Sequence, residues 1–205
     1  PEALEALKKT FGVTDEPLIT QYLDYIKLLF QGDLGISIAY FPQQVSSIII
    51  SGLLWTLFLV GTSLIISFII GSILGIFIAW NRDEKIDSIL PPSFALLSAF
   101  PYFFTAMILL YIFGFKFGMF PIRHAYSSNL SPELSFEFIG NVIYHAILPA
   151  STLIFMGIGG WMLGMRNNMI GTISTDYISY AKSRGISNKK IMFNYAARNA
   201  ILPVV

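Results

Sequence analysis

The stretch "GLLWTLFLVGTSLIISFIIGSILGIFIAW" (residues 52–80) decides the fold: it contains no Asp, Glu, Lys or Arg. A helix needs about 20 mostly apolar residues to cross a bilayer, and this run exceeds that. The uncharged region around it reaches from Leu34 to Asn81, and two more follow, Ser88 to Phe115 and Phe138 to Met165. Within them, "FALLSAFPYFFTAMILLYIFGF" (94–115) and "VIYHAILPASTLIFMGIGGWMLGM" (142–165) meet the same criterion. Soluble helices average about 11–12 residues, so three such runs are hard to bury in water. The composition agrees: 55% of the 205 residues are hydrophobic and 12% charged, against about 25% charged in soluble domains. The expected fold class is an all-α integral membrane protein with spans at about 52–80, 94–115 and 142–165.

Several functions are excluded. The chain has no cysteine, which rules out a disulfide scaffold, a thiolate metal site and a thiol nucleophile. There is no phosphate-binding loop, no paired His–Glu metal motif and no nucleophile elbow. No catalytic residue, cofactor or metal site is expected, and the chain is not read as an enzyme. A membrane-embedded enzyme would need polar groups converging inside the bilayer, and the spans offer only hydroxyls and His145.

Residues 1–51 read as amphipathic helices on the outer membrane face. "EALEALKKTFG" places Leu4, Leu7 and Phe11 at helical spacing before Gly12, and "PEALEALKKTFGV" has no signal-peptide core. "EPLITQYLDYIKLLFQG" begins a helix at Pro17, carries Leu18, Tyr22, Tyr25, Ile26 and Leu29, and stops at Gly32; "GDLGIS" (32–37) reads as a turn. The sidedness follows from the cations. Loop 81–91 and the segment after the third span hold eight Lys and Arg; residues 1–51 and loop 116–141 hold five (Lys8, Lys9, Lys27, Lys116, Arg123). The first pair of segments is therefore expected in the cytoplasm.

The densest cations lie in "YAKSRGISNKKIMFNYAARNAILP" (180–203): Lys182, Arg184, Lys189, Lys190 and Arg198. Tyr177, Ile178 and Ala181 predict one apolar helix face, and Ile191, Tyr195 and Ala196 a second. Gly185 suits the corner between the two helices, the Ser187 hydroxyl is placed to cap the second, and Pro203 falls where that helix ends or the next one starts. Read alone, this suits a membrane-tethered helix-turn-helix DNA-binding protein, its cations on phosphates. The motif follows a span by only about ten residues, which would pin it at the membrane. Contact with anionic membrane lipid is the plainer alternative, though it requires neither the glycine corner nor the Leu-Pro ending.

The longer stretch "DYISYAKSRGISNKKIMFNYAARNAILPVV" (176–205) resembles the cytoplasmic signature loop of permease subunits of type I ABC importers, in the oligopeptide/dipeptide/nickel branch. Asp176-Tyr177, Ala181, Arg184-Gly185, Arg198-Asn199-Ala200 and Leu202-Pro203 carry the likeness. "PEALEALKKTFGV", "QYLDYIKLLFQGDLGIS", "FPYFF", "FGMFP" (117–121) and "ILPA" (147–150) extend it in order along nearly the whole chain. One departure is clear: the general signature begins Glu-Ala-Ala, whereas this chain has Ser179, Tyr180 and Ala181.

The resemblance implies a type I ABC transmembrane helical bundle, with three spans here of an expected six, and so a piece of a longer chain; the missing initiator Met and the ending "ILPVV" agree. Residues 1–51 would be extracytoplasmic and 52–205 a partial transmembrane domain. It implies a multi-pass permease of the plasma membrane that imports oligopeptides, or alternatively oligosaccharides or nickel. The implied partners are separate ABC ATPase subunits, a second permease subunit forming a heterodimer, an extracytoplasmic solute-binding protein and membrane lipid, with no nucleic acid. The coupling loop, about 176–203, would dock on the ATPase through Tyr180, Ala181, Lys182, Arg184, Gly185, Ile186, Ile191, Arg198, Leu202 and Pro203. Ala181, Gly185 and Ile186 are expected at the docking corner, with Ile186 and Ile191 filling a pocket on the partner.

Other residues carry weaker expectations. Pro101 kinks the second span, and Phe100, Pro101 and Tyr102 are candidates for a kink or pathway lining. His145 reads as a hydrogen-bonded histidine, not a proton relay. Gly71 with Gly75 and Gly160 with Gly164 offer faces for close helix packing, with a second permease subunit as a candidate partner. Trp55, Trp80 and Trp161 read as interface anchors.

Overall fold

The structure, a computed structural model, describes residues 16–82 and 84–204. The helix expected over "EALEALKKTFG" lies outside the described residues. The chain divides into two units, one up to Leu57 and the other from Phe58 onward.

In the first unit, α1 (Leu18–Phe30) starts behind Pro17, whose carbonyl accepts from Thr20 N at 2.9 Å. It stops at Gly32, φ 81°. There Gly32 N donates to Leu29 O and Asp33 N to Leu28 O, both at 3.0 Å. This paired closure of a helix end uses a left-handed residue that glycine adopts without steric cost. The apolar face is present but uncovered: Leu18, Tyr22 and Tyr25 are all exposed. The turn expected at 32–37 forms, with Gly35 N donating to Asp33 Oδ1 at 2.9 Å. The chain then doubles back through an Ile36–Gln44 bridge into α2.

Helix α2 (Val45–Trp80) and helix α5 (Phe136–Ile173) are each long and apolar enough to cross a membrane. At 1.5 Å per residue both exceed about 50 Å, against a hydrocarbon core of about 30 Å. Both overrun the sequence-derived limits: α2 begins before residue 52, and α5 begins before 142 and ends after 165. The Ser135 hydroxyl starts α5 early by accepting from Phe138 N at 3.2 Å.

The second span differs from expectation. The run 94–115 is not one helix: α3 (Lys85–Ser98) and α4 (Tyr102–Leu109, continued by wider π-helical turns over Leu110–Lys116) meet at 93°. Pro101 causes the break. It has no N–H to continue α3 and it drives Phe100 out of helical geometry. Its carbonyl begins α4 by accepting from Phe104 N at 3.0 Å. Phe100 and Tyr102 are exposed at this corner, so the sequence-derived kink is a full break. Helix α3 also starts inside the segment read as loop 81–91. A third membrane crossing exists only if this bent pair forms a single span.

Helices α2 and α5 cross backbone to backbone. A Cβ on Gly71 would sit 2.6 Å from Trp161 Cβ and 2.8 Å from Ile158 O; one on Gly75 would sit 2.6 Å from Met162 O. The Gly71/Gly75 face is therefore used within the chain, correcting the idea that it waits for a second subunit. Gly160 and Gly164 have nothing within 4 Å of such a Cβ. Trp161 is not purely an interface anchor either, since its ring meets Phe68 edge-on at 5.2 Å.

Overpacking a close crossing costs about 1–3 kcal/mol. Gly75→Ala should lower the unfolding midpoint of the detergent-solubilised protein, whereas Gly160→Ala should leave it unchanged. Equal midpoints for the two variants would show that the crossing is looser than described.

Candidate functional site

Below the crossing, α5 ends and the basic stretch folds back under it. Helix α6 (Asp176–Ser183) is followed by a corner at residues 184–187 and then α7, which runs through Asn188–Lys190, a π-helical segment Ile191–Ala197 and Arg198–Ala200. Gly185 takes φ 73°. Gly185 N donates to Lys182 O at 3.0 Å, and Ile186 N to Ala181 O at 3.3 Å. This is the same glycine closure as at Gly32. Ser187 does occupy the position before α7, but its hydroxyl makes no capping bond. Its carbonyl accepts from Ile191 N at 3.0 Å instead.

The apolar faces read from the sequence close onto the long helices. Ile178, Ala181, Ile191 and Ala196 are buried in one cluster with Ile76 and Ala79 of α2 and Met165 and Met169 of α5. Phe77 of α2 meets Phe193 of α7 edge-on at 5.9 Å. The flexible methionine chains fill the irregular space where four helix ends converge. Tyr177 is exposed, unlike the other members of its expected face, and its hydroxyl accepts from Asn199 Nδ2 at 3.0 Å.

This packing sorts the ten proposed docking residues. Ala181 and Ile191 are buried within the chain, so Ile191 cannot fill a partner's pocket as the sequence suggested; its methyl groups are spent on this core. Ile186 is half-buried against the same cluster. Tyr180, Lys182, Arg184, Gly185, Arg198, Leu202 and Pro203 are exposed. What the corner offers outward is therefore a short ridge over residues 182–190 that carries four cations. Two of its cations lie over rings: Lys182 Nζ is 5.7 Å from the Trp80 centroid, and the Arg184 guanidinium is 5.8 Å from that of Tyr180. Such contacts at exposed sites are worth about 0.5–1 kcal/mol. They orient the side chains without neutralising them, and Trp80 here belongs to the corner.

One contact was not legible in the sequence. Arg166 in α5 donates through Nε to Asp87 Oδ1 at 2.6 Å, with its terminal Nη2 also 2.6 Å away. Their side chains are 22% and 14% exposed. Asp87 lies in the first turn of α3, so the pair ties α3 to α5 directly above the corner. Arg166 is the first charge after the apolar run 138–165, but its partner lies 79 residues away, and one sequence does not pair them. At the other end of α5, His145 is hydrogen-bonded as expected, its Nδ1 lying 2.8 Å from Asn141 O.

Residues 71–205 match the family model described as "Binding-protein-dependent transport system inner membrane component". The chain is similar over 98% of its length to a Brucella suis protein provisionally described as a peptide permease, at 33% identity. It is 31% identical over 98% of its length to the oligopeptide transport system permease protein AppB of Bacillus subtilis. It is 27% identical over its full length to the dipeptide transport system permease protein DppB of Lactococcus lactis. The chain spans 61–62% of the length of these relatives.

The ion pair is partly desolvated, between the regimes where pairing is worth little and where a lost partner is costly. A double-mutant cycle with Asp87→Asn and Arg166→Gln should give a coupling of about 1–2 kcal/mol in unfolding of the solubilised protein. Strict additivity would mean that α3 is held by packing alone.

Proposed function

Since the chain belongs to the family of binding-protein-dependent transport system inner membrane components, we propose that it is a permease subunit of an ATP-driven importer and that its cationic corner couples transport to a separate ATPase. The observation that carries this reading is the family match, which covers both the α2–α5 crossing and the corner. The geometry suits the task. The ridge projects at a glycine turn, keeps its charges in water, and is rigidly seated on the ends of two long helices through its buried face. A force applied to the ridge therefore reaches α2 and α5 directly, as a two-state switch requires. These 205 residues contain no phosphate-binding loop, and the proposal assigns ATP hydrolysis to a separate chain.

The solute is proposed to be a peptide, because the relatives are named for peptide, oligopeptide and dipeptide transport. Oligosaccharides and nickel are the alternatives within the same machine. A second permease subunit, an extracytoplasmic solute-binding protein and surrounding lipid complete the assembly. The many exposed apolar side chains of α2, such as Leu54, Leu57 and Ile65, suit contact with lipid or further helices. The proposed layout places 1–51 and 116–141 outside and the corner in the cytoplasm of a multi-pass plasma-membrane protein. A DNA reader is disfavoured because the corner is pinned on the ends of two helices long and apolar enough to cross a membrane.

These 205 residues contain no cysteine, so single-cysteine labelling is clean in them. Ser187→Cys should react with a membrane-impermeant maleimide only from the cytoplasmic side, and Ser128→Cys only from outside. Labelling with the opposite sidedness refutes the layout. For coupling, the full-length protein purified from native membranes in mild detergent should bring down an ABC ATPase. Gly185→Val, which forces a β-branched residue to φ 73°, should lose most of it. Retention of the ATPase by that variant would move the docking site elsewhere.

A further inference from the structure

A second feature lies at the far end of α5, about 30 Å along the helix from Arg166 at 1.5 Å per residue. There a cavity of about 280 Å³ opens between α4, α5 and the loop that joins them. Its walls are apolar, including Met107, Leu110 and Leu148, but three basic side chains also line it: Arg123, His124 and His145. Arg123 and His124 are exposed and make no ion pair or side-chain hydrogen bond with the described residues. Asp, Glu and other carboxylates are absent from the lining.

The loop that carries Arg123 and His124 is held in place on both sides. Tyr144 Oη donates to Met119 O at 2.6 Å before them. After them, the Asn141 side chain accepts from Ser127 N at 2.8 Å and donates to Ser127 Oγ at 3.1 Å. Ile122 is wedged against Gly114, where a Cβ would come within 2.7 Å of its Cγ2. His124 itself adopts φ 65°, a left-handed conformation that a non-glycine residue takes at a cost and that clusters at ligand sites. In His145 the Nδ1–H donates to the Asn141 carbonyl 2.8 Å away, which fixes the orientation of the ring that lines the cavity. Pro149 also lines the cavity; lacking an N–H, it leaves the carbonyl of His145 without its helical donor.

We propose that this cavity is a carboxylate subsite that receives the C-terminal residue of a peptide, its carboxylate against Arg123, His124 and His145 and its side chain against the apolar wall. The inference rests on the peptide reading above. The volume is at the lower edge of small-ligand pockets, so it suits one residue and not a whole peptide. An arginine with its fork of donors is the side chain suited to a carboxylate. A neutral sugar would leave the Arg123 guanidinium uncompensated.

The test uses the complete transporter with its own binding protein, reconstituted in proteoliposomes. Uptake of one peptide is compared in two forms, with a free C-terminal carboxylate and with a C-terminal amide. Arg123→Gln and His145→Gln should each lower the acid-to-amide uptake ratio about tenfold relative to the unaltered transporter, through loss of acid uptake alone. Arg123→Lys, which keeps the charge, should retain most of the ratio and guards against a folding defect. A ratio unchanged in all variants overturns the subsite. Equal loss of both forms also overturns it, because it places the basic groups against a carboxylate of the binding protein instead. If the unaltered transporter takes up neither form, the peptide reading itself fails and the subsite falls with it.

Discussion

The approach of α2 to α5 at Gly71 and Gly75 is the contact on which the second unit depends. Without a side chain at either position, the two backbones come within van der Waals distance near Met162 and Arg166. In a bilayer the hydrophobic effect supplies no drive for helix association, so close packing has to supply it. That approach brings Ile76 and Ala79 alongside Met165 and Met169, and the floor thus formed is what α6 and α7 sit on. The glycines of the crossing and the glycine of the corner act in different ways. Gly71 and Gly75 remove volume, while Gly185 supplies a backbone conformation.

The cations of the basic stretch divide by what lies beneath them. Each helix of the corner spends its apolar stripe on the floor and leaves Lys182, Arg184, Lys189 and Lys190 in water. A charge-rich ridge on a buried apolar base is stable on its own and also available to a partner. The Asp87–Arg166 pair extends the same arrangement to α3, so that a helix otherwise broken off at Pro101 remains tied to α5. A push on the ridge is therefore felt by three helices.

Much of this was legible beforehand. The two long spans announce themselves because length and uninterrupted apolarity are properties of consecutive residues. The glycine corner was legible because a left-handed helix stop is a local demand that Gly185 meets on its own. Ile178, Ala181, Ile191 and Ala196 were assigned to apolar faces by their spacing, and they are buried. What failed was the assignment of a partner to each face. Ile191 was given to another protein and the Gly71/Gly75 face to a second subunit, when both close within the chain. Periodicity identifies a face but not what covers it.

The sequence by itself determined an all-helical membrane protein with a cationic corner near its end, since hydropathy, helix stops and charge density are written along the chain. The tertiary structure alone decided three things: that the run at 94–115 turns through 93°, that Arg166 finds Asp87, and that Arg123 and His124 share a cavity with His145. Each depends on residues far apart in sequence, or on whether tertiary packing tolerates a proline break as a corner. The free energy of such contacts lies in distances across the fold, which no local pattern encodes.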